Sequence, residues 1–336
     1  MSKRVLILGA FAAIYLLWGS TYFAIALGLK SIPPFLLMAL RSLGGGLILV
    51  ALNGRGVMHT SLSSWVNAAT CGVLFFVGCH GVLAYAQQSV PSGIAAILLA
   101  TIPFWILLID FLFPQTRRPK AMTLAALLPG LAGVAIVAWQ SAGHSNVSVL
   151  PIILLLGASL SWAAGTVLSR RTSNHESSTL SAGMQLSIGG AVLFAVSLTS
   201  GEFGEFSLHN ASPVSLAAVA YLAIAGSVIG FAAFRWLLGN VSTSMVSTYI
   251  FVNPIIAVLL GTLVLGEPFS ASMLFGGLLV IASVIATWRA EQATPSSTEP
   301  DRSLPVPRPL LRPADGRRGR VADTHDCVSR RFSRLT

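Results

Sequence analysis

Acidic side chains are scarce in this chain. Its 336 residues include 11 aspartates and glutamates against 21 lysines and arginines, and charged residues make up 10% of the total, where globular proteins carry roughly a quarter. A single acid, Asp110, falls inside an apolar stretch. Scattered carboxylates of this kind offer no clustered pair or nucleophile–base arrangement, which counts against a membrane enzyme acting on lipid-linked substrates. Cysteine is scarce too. Cys71 and Cys79 share one apolar stretch and Cys327 lies near the end, a spacing that fits neither a disulfide framework nor a zinc site. No GxxxxGK[ST] loop occurs, so nothing supports ATP use by this chain. No catalytic residue, metal ligand or cofactor is expected.

What is abundant is apolar. Hydrophobic residues make up 54% of the chain and its mean hydropathy is +0.78. About 20 apolar residues in a helix cross a bilayer core of about 30 Å. Ten such stretches are read: Val5–Leu29, Phe35–Leu52, Trp65–Ala86, Ser92–Phe113, Ala121–Trp139, Leu150–Leu168, Ser178–Thr199, Val214–Leu237, Ser242–Leu265 and Ser270–Trp288. The expected fold is an all-α integral membrane protein of ten transmembrane helices. The first stretch follows Lys3 and Arg4 as a secretory signal does, but it outlasts a signal core of about 7–15 residues and is read as an uncleaved span.

The last five stretches repeat the first five. Trp18 recurs as Trp162, Pro103 as Pro254, and Pro119 and Trp139 as Pro268 and Trp288, at offsets of 144, 151 and 149 residues. Residues 1–140 form the first repeat and 150–289 the second. A five-span unit is odd, so the second copy sits inverted, an architecture in which two halves expose one central site to either side in turn. Basic residues agree. Lys3, Arg4, Arg55, Arg117, Arg118, Lys120, Arg170, Arg171, Arg235 and Arg289 flank one set of ends, while the other set carries Lys30 with Glu202, Glu205 and Glu267. That alternation puts both termini in the cytoplasm. The net charge of +10 is therefore no signature of nucleic-acid binding. Residues 290–336 are rich in Pro, Arg, Ser and Asp without a hydrophobic period, and read as a disordered cytoplasmic tail. It is either a non-functional extension or a basic segment for anionic lipid.

Several motifs carry a resemblance. Leu17-Trp18-Gly19-Ser20-Thr21-Tyr22-Phe23, Val90-Pro91-Ser92-Gly93-Ile94-Ala95-Ala96 leading to Ala100-Thr101-Ile102-Pro103, Tyr221 to Ser227, Tyr249 to Pro254, and Leu263 to Pro268 together resemble the drug/metabolite transporter superfamily, EamA type, in its bacterial inner-membrane permeases. The resemblance runs from about residue 5 to 289. It implies ten helices, cytoplasmic termini and export of small metabolites, amino acids or toxic analogues. Many relatives carry Gly-Glu after both the fourth and ninth spans. Here Gly266-Glu267 follows the ninth, while the fourth ends Phe113-Pro114-Gln115.

Candidate substrate-binding residues follow from polarity or backbone defects inside spans. Pro103 and Pro254 each remove a backbone N–H near the middle of a repeat-related span, with Thr101 and Asn253 beside them. Trp18, Thr21 and Tyr22 in the first span face Trp162 in its counterpart, either sandwiching a planar solute or packing helices. His80 is read as a ligand, a proton relay or one interhelical bond. Arg41 inside the second span either holds a carboxylate or phosphate or snorkels, and its counterpart Gln185 is uncharged. Asp110 is expected to pair with Arg117, Arg118 or Lys120, with proton coupling as the alternative, Arg235 to be a membrane-edge anchor, and Glu267 to cap a helix end or make a loop contact. Gly157, Ser161 and Gly165, and the pair Gly226 and Gly230, are read as close helix approaches. The expected function is secondary transport of a small, neutral or zwitterionic metabolite; a membrane enzyme and a non-transporting scaffold are the alternatives. The partners implied are a small-molecule substrate and the lipid bilayer, with monomer and homodimer both open.

Overall fold

A computed structural model describes residues 2–113, 125–126, 128–144, 149–172, 177–241, 243–246 and 248–292. The described residues are helices and turns without a strand. The principal helices are α1 (Lys3–Gly28), α2 (Pro34–Leu52), α3 (Leu62–Ala86), α4 (Ser92–Leu112), α5 (Leu128–His144), α6 (Val149–Arg171), α7 (Ser178–Thr199), α8 (Pro213–Leu238), α9 (Tyr249–Leu265) and α10 (Ala271–Gln292). Seven of them, α1 to α4 and α6 to α8, are long and apolar enough to cross a membrane. Three shorter apolar helices lie within α5, α9 and α10. Large apolar side chains such as Leu8, Leu16, Leu47, Ile153 and Leu263 are exposed, as expected of helices that face lipid. The start of the fifth expected span and the tail beyond Gln292 lie outside the described residues.

Serine hydroxyls start the helices. Ser61 accepts from the Ser64 N–H at 3.2 Å and Ser212 from the Ser215 N–H at 3.1 Å, so α3 and α8 begin with the same cap in both repeats. Ser177 caps α7 by accepting from the Leu180 N–H. Two starts are capped by a carboxylate from a distant segment. Glu202 accepts from the Phe35 and Leu36 N–H groups at the start of α2. Glu267 accepts from Ser92 N at 2.9 Å, Ser92 Oγ at 2.8 Å and Gly93 N at 3.4 Å at the start of α4. The charge meets the positive end of the helix dipole in each case, which agrees with the cap expected of Glu267.

The helix pairs obey the repeat. Exchanging each helix of the first half with its counterpart five places on converts α1–α9 into α6–α4, α1–α8 into α6–α3 and α2–α8 into α7–α3, all of which are packed. The pairs α2–α7 and α5–α10 map onto themselves. The α2–α7 contact is reciprocal in detail. A Cβ on Gly46 would fall 2.6 Å from Ser187 N, and one on Gly190 would fall 2.7 Å from Leu43 N. Ser187 and Gly190 lie 144 residues beyond Leu43 and Gly46, the offset that relates the two tryptophans.

Two features depart from plain α-helices. Residues Val73–Gly81 of α3 and Leu222–Phe231 of α8 are π-helical, and they occupy repeat-related positions. α4 breaks at Ala100 and Thr101, so that Pro103 lies in the first turn of the segment Ile102–Leu112. There a missing N–H costs nothing. Pro254 instead stays inside the continuous α9. The two prolines match in sequence and differ in structure: the expected mid-helix defect holds for Pro254 and not for Pro103.

Candidate functional site

Five helices from both repeats bring the polar candidates to one place. Trp18, Thr21 and Tyr22 share a face of α1 at the i, i+3, i+4 spacing. With Arg41 of α2, Cys79, His80 and Leu83 of α3, Leu99 and Ile102 of α4, Trp162 of α6, and Tyr249 and Asn253 of α9, they line a cavity of about 30 Å³. That is room for about one water, so the lining side chains fill most of the site.

Aromatic rings make one wall. Trp18 and Trp162 meet edge to face, with centroids 5.5 Å apart and planes at 86°. Tyr249 lies 5.0 Å from Trp18 at 85°, Phe75 lies 4.6 Å from Trp162, and Phe234 touches both tryptophans. The tryptophans therefore pack on each other and leave no gap for a sandwiched solute, which corrects that half of the sequence expectation. Trp18 Nε1 donates to the Gly226 carbonyl at 3.0 Å, and a Cβ on Gly230 would fall 2.5 Å from the same nitrogen. A Cβ on Gly226 would fall 3.1 Å from Arg41 Nη2. The Gly226/Gly230 pair thus seats the Trp18 indole and the Arg41 guanidinium rather than a helix backbone. On α6, Gly165 seats the Phe75 ring and Ser161 donates to the Leu74 carbonyl, but Gly157 has open space around it.

The electrostatics of the site rest on Arg41. It is 2% exposed. Its Nε donates to Ser227 Oγ at 3.1 Å and its Nη1 lies 4.0 Å from Met38 Sδ. No described carboxylate reaches it. Asp110 pairs with Arg170 at 3.0 Å and Arg171 at 3.5 Å, Glu202 and Glu267 cap α2 and α4, and Glu205 is exposed. The bases expected to pair with Asp110 lie outside the described residues; α6 supplies its partners instead. The counterpart Gln185 is buried and donates to Ser181 Oγ. Arg235, expected as a membrane-edge anchor, is buried and donates to the same Ser181 Oγ at 3.1 Å.

Three polar atoms on the cavity residues have no hydrogen-bond partner among the described residues, His80 Nδ1, Trp162 Nε1 and Asn253 Oδ1. A buried polar atom left unpaired costs about 1–3 kcal/mol, a cost that a bound solute would relieve. The His80 ring lies against Phe76 and Trp162. Gln87 donates from Nε2 to the Tyr22 carbonyl, tying the end of α3 to α1.

Three candidates lie elsewhere. Thr101 and Pro103 line a second cavity of about 170 Å³ among α4, α5, α6 and α10, with Trp105, Gly130 and Ser283. Thr101 Oγ1 donates to the Leu98 carbonyl and shares a bond with Ser159. Pro254 is buried and lines neither cavity. Thr101 lies on a different face of α4 from Leu99 and Ile102, which line the first cavity. The sequence reading missed Tyr249 and Cys79 as lining residues and Ser227 as the Arg41 partner. Tyr249 was findable from its place four residues before Asn253, on the same helix face.

Known proteins match this chain along nearly all of the described region. The profile of the EamA-like transporter family matches residues 4–139 and 149–289. The "uncharacterized inner membrane transporter YedA" of Escherichia coli K12 is 38% identical over 83% of this chain and 90% of its own length. A "probable amino-acid metabolite efflux pump" of Salmonella typhimurium is 24% identical over 81% of this chain and 91% of its own. A solved crystal structure, 20% identical, covers 88% of this chain and all of its own with a TM-score of 0.62, which bears on the fold.

Proposed function

The chain belongs to the EamA-like transporter family, a multi-pass membrane fold of two repeats, and from that premise we propose that it exports or exchanges a small metabolite, amino acid or toxic analogue across the inner membrane by alternating access. Ten spans in two inverted halves, with both termini cytoplasmic, complete the proposal. The observation that carries it is the small cavity lined from both repeats, where Arg41, His80, Asn253, Trp18, Thr21, Tyr22 and Trp162 converge. Sites of this kind in transporters lie near the bilayer midplane at the repeat interface. In the orientation set by the basic residues, Arg41, Tyr22 and His80 lie toward the outer face and Phe231, Phe234 and Tyr249 toward the cytoplasm. The aromatic wall is then the inner barrier. Opening requires the α1–α8 and α6–α3 contacts to change, and both include a π-helical segment.

Overexpression followed by challenge with a panel of toxic metabolite analogues tests this reading. Reduced intracellular retention of one chemical class is the expected outcome and names the substrate class. Unchanged retention across a broad panel contradicts export.

A further inference from the structure

We infer that the cavity, once opened beyond the room for about one water it has in this structure, takes a small monoanionic carboxylate, with Arg41 as its counter-ion. The inference rests on the transport reading and narrows its substrate class. An arginine inside a span is costly and is ordinarily paired or turned to water. Arg41 is 2% exposed, and its polar contacts among the described residues are a serine hydroxyl and a thioether, neither of them a charge. The described acids that are not exposed are held elsewhere, by two arginines or by helix starts. A buried charge without a partner is strongly unfavourable, so a ligand that supplies one negative charge gains the whole of that imbalance. Among the described residues Arg41 is the one charged residue lining the cavity, and Gln185, its repeat counterpart, is neutral. A monoanion therefore leaves the site neutral. A dianion leaves a negative charge, a zwitterion a positive one, and a cation two positive ones. The carboxylate pairs with a guanidinium through two parallel N–H···O bonds. The Trp18, Tyr249 and Trp162 rings offer the rest of the ligand an apolar or planar surface.

Equilibrium binding to the purified full-length protein in detergent tests this with four probes, three of them sharing one ring: 3-phenylpropanoate, phenylalanine, 2-phenylethylamine, and succinate as the dianion. The carboxylate is expected to bind at least tenfold more tightly than each of the others. Arg41→Gln should remove that preference, and Arg41→Lys, which keeps the charge, should retain the preference for the anion over the amine. Because the charge is unpaired in the empty site, Arg41→Gln should not lower the melting temperature of the ligand-free protein. Equal binding of phenylalanine, undiminished anion binding by Arg41→Gln, or no anion binding by the wild type each overturns the inference. Carboxylate binding without flux of any solute in liposomes sinks transport and leaves this assignment standing. Flux of a neutral or zwitterionic solute without carboxylate binding sinks this assignment alone.

Discussion

Trp18 holds two neighbours at once. Its indole N–H donates into the π-helical segment of α8 at Gly226, while its ring stands edge-on to Trp162. Trp18→Phe keeps much of the ring contact, loses the bond and leaves a buried carbonyl short of a donor. A cost of about 1–2 kcal/mol is expected, read as a lower unfolding midpoint in detergent. Gly230→Ala acts on the same indole from below, since its Cβ would fall 2.5 Å from Nε1; tryptophan fluorescence should shift and transport should fall about tenfold. The polar candidates in spans 1, 2, 3, 6 and 9 were legible because a charged or hydrogen-bonding side chain inside an apolar run needs a reason. Thr101 and Pro103 line the other cavity, and hydropathy carries no record of which face of a uniformly apolar helix meets which neighbour.

At the scale of helices, the seventh span, Ser178–Thr199, matches the structure at both ends. The first, second and eighth agree to within two residues. The π-helical segments were not legible, because a shift from i−4 to i−5 hydrogen bonding leaves the composition of an apolar run unchanged. The ninth expected span is shorter than read: the short helix Thr243–Val246 and the turn at Thr248 precede α9. Glycine patterns were legible as small residues but not as contacts. Gly46→Ala and Gly190→Ala should each destabilise the α2–α7 pair by about 1–3 kcal/mol through overpacking. Gly157→Ala, in open space, should be neutral or stabilising by up to about 1 kcal/mol from helix propensity. The same unfolding measurement in detergent separates the three. Glu267→Ala removes three hydrogen bonds from the start of α4 and should lower stability by about 2 kcal/mol, with Glu267→Gln costing less because it keeps an acceptor.

The molecule as a whole is built around an approximate two-fold relation. Motif offsets showed the duplication in sequence, and the reciprocal contacts of Gly46 with Ser187 and Gly190 with Leu43 give it a physical location between α2 and α7. The halves agree in the serine caps of α3 and α8, in helix pairs and in π-helical segments. They differ at Arg41 against Gln185, at the prolines, and at the carboxylate cap that α4 receives from Glu267. Of these differing residues Arg41 alone lines the cavity of Trp18 and Trp162. Asn253 tests whether that cavity is the transport site, because its Oδ1 has no partner among the described residues and a leucine of similar shape should leave folding intact. The measurement is solute flux into proteoliposomes by wild-type protein and by Asn253→Leu, using the solute class found by the retention screen. A flux at least tenfold lower at an unchanged melting temperature is expected. Wild-type flux in the variant would contradict the assignment of the cavity.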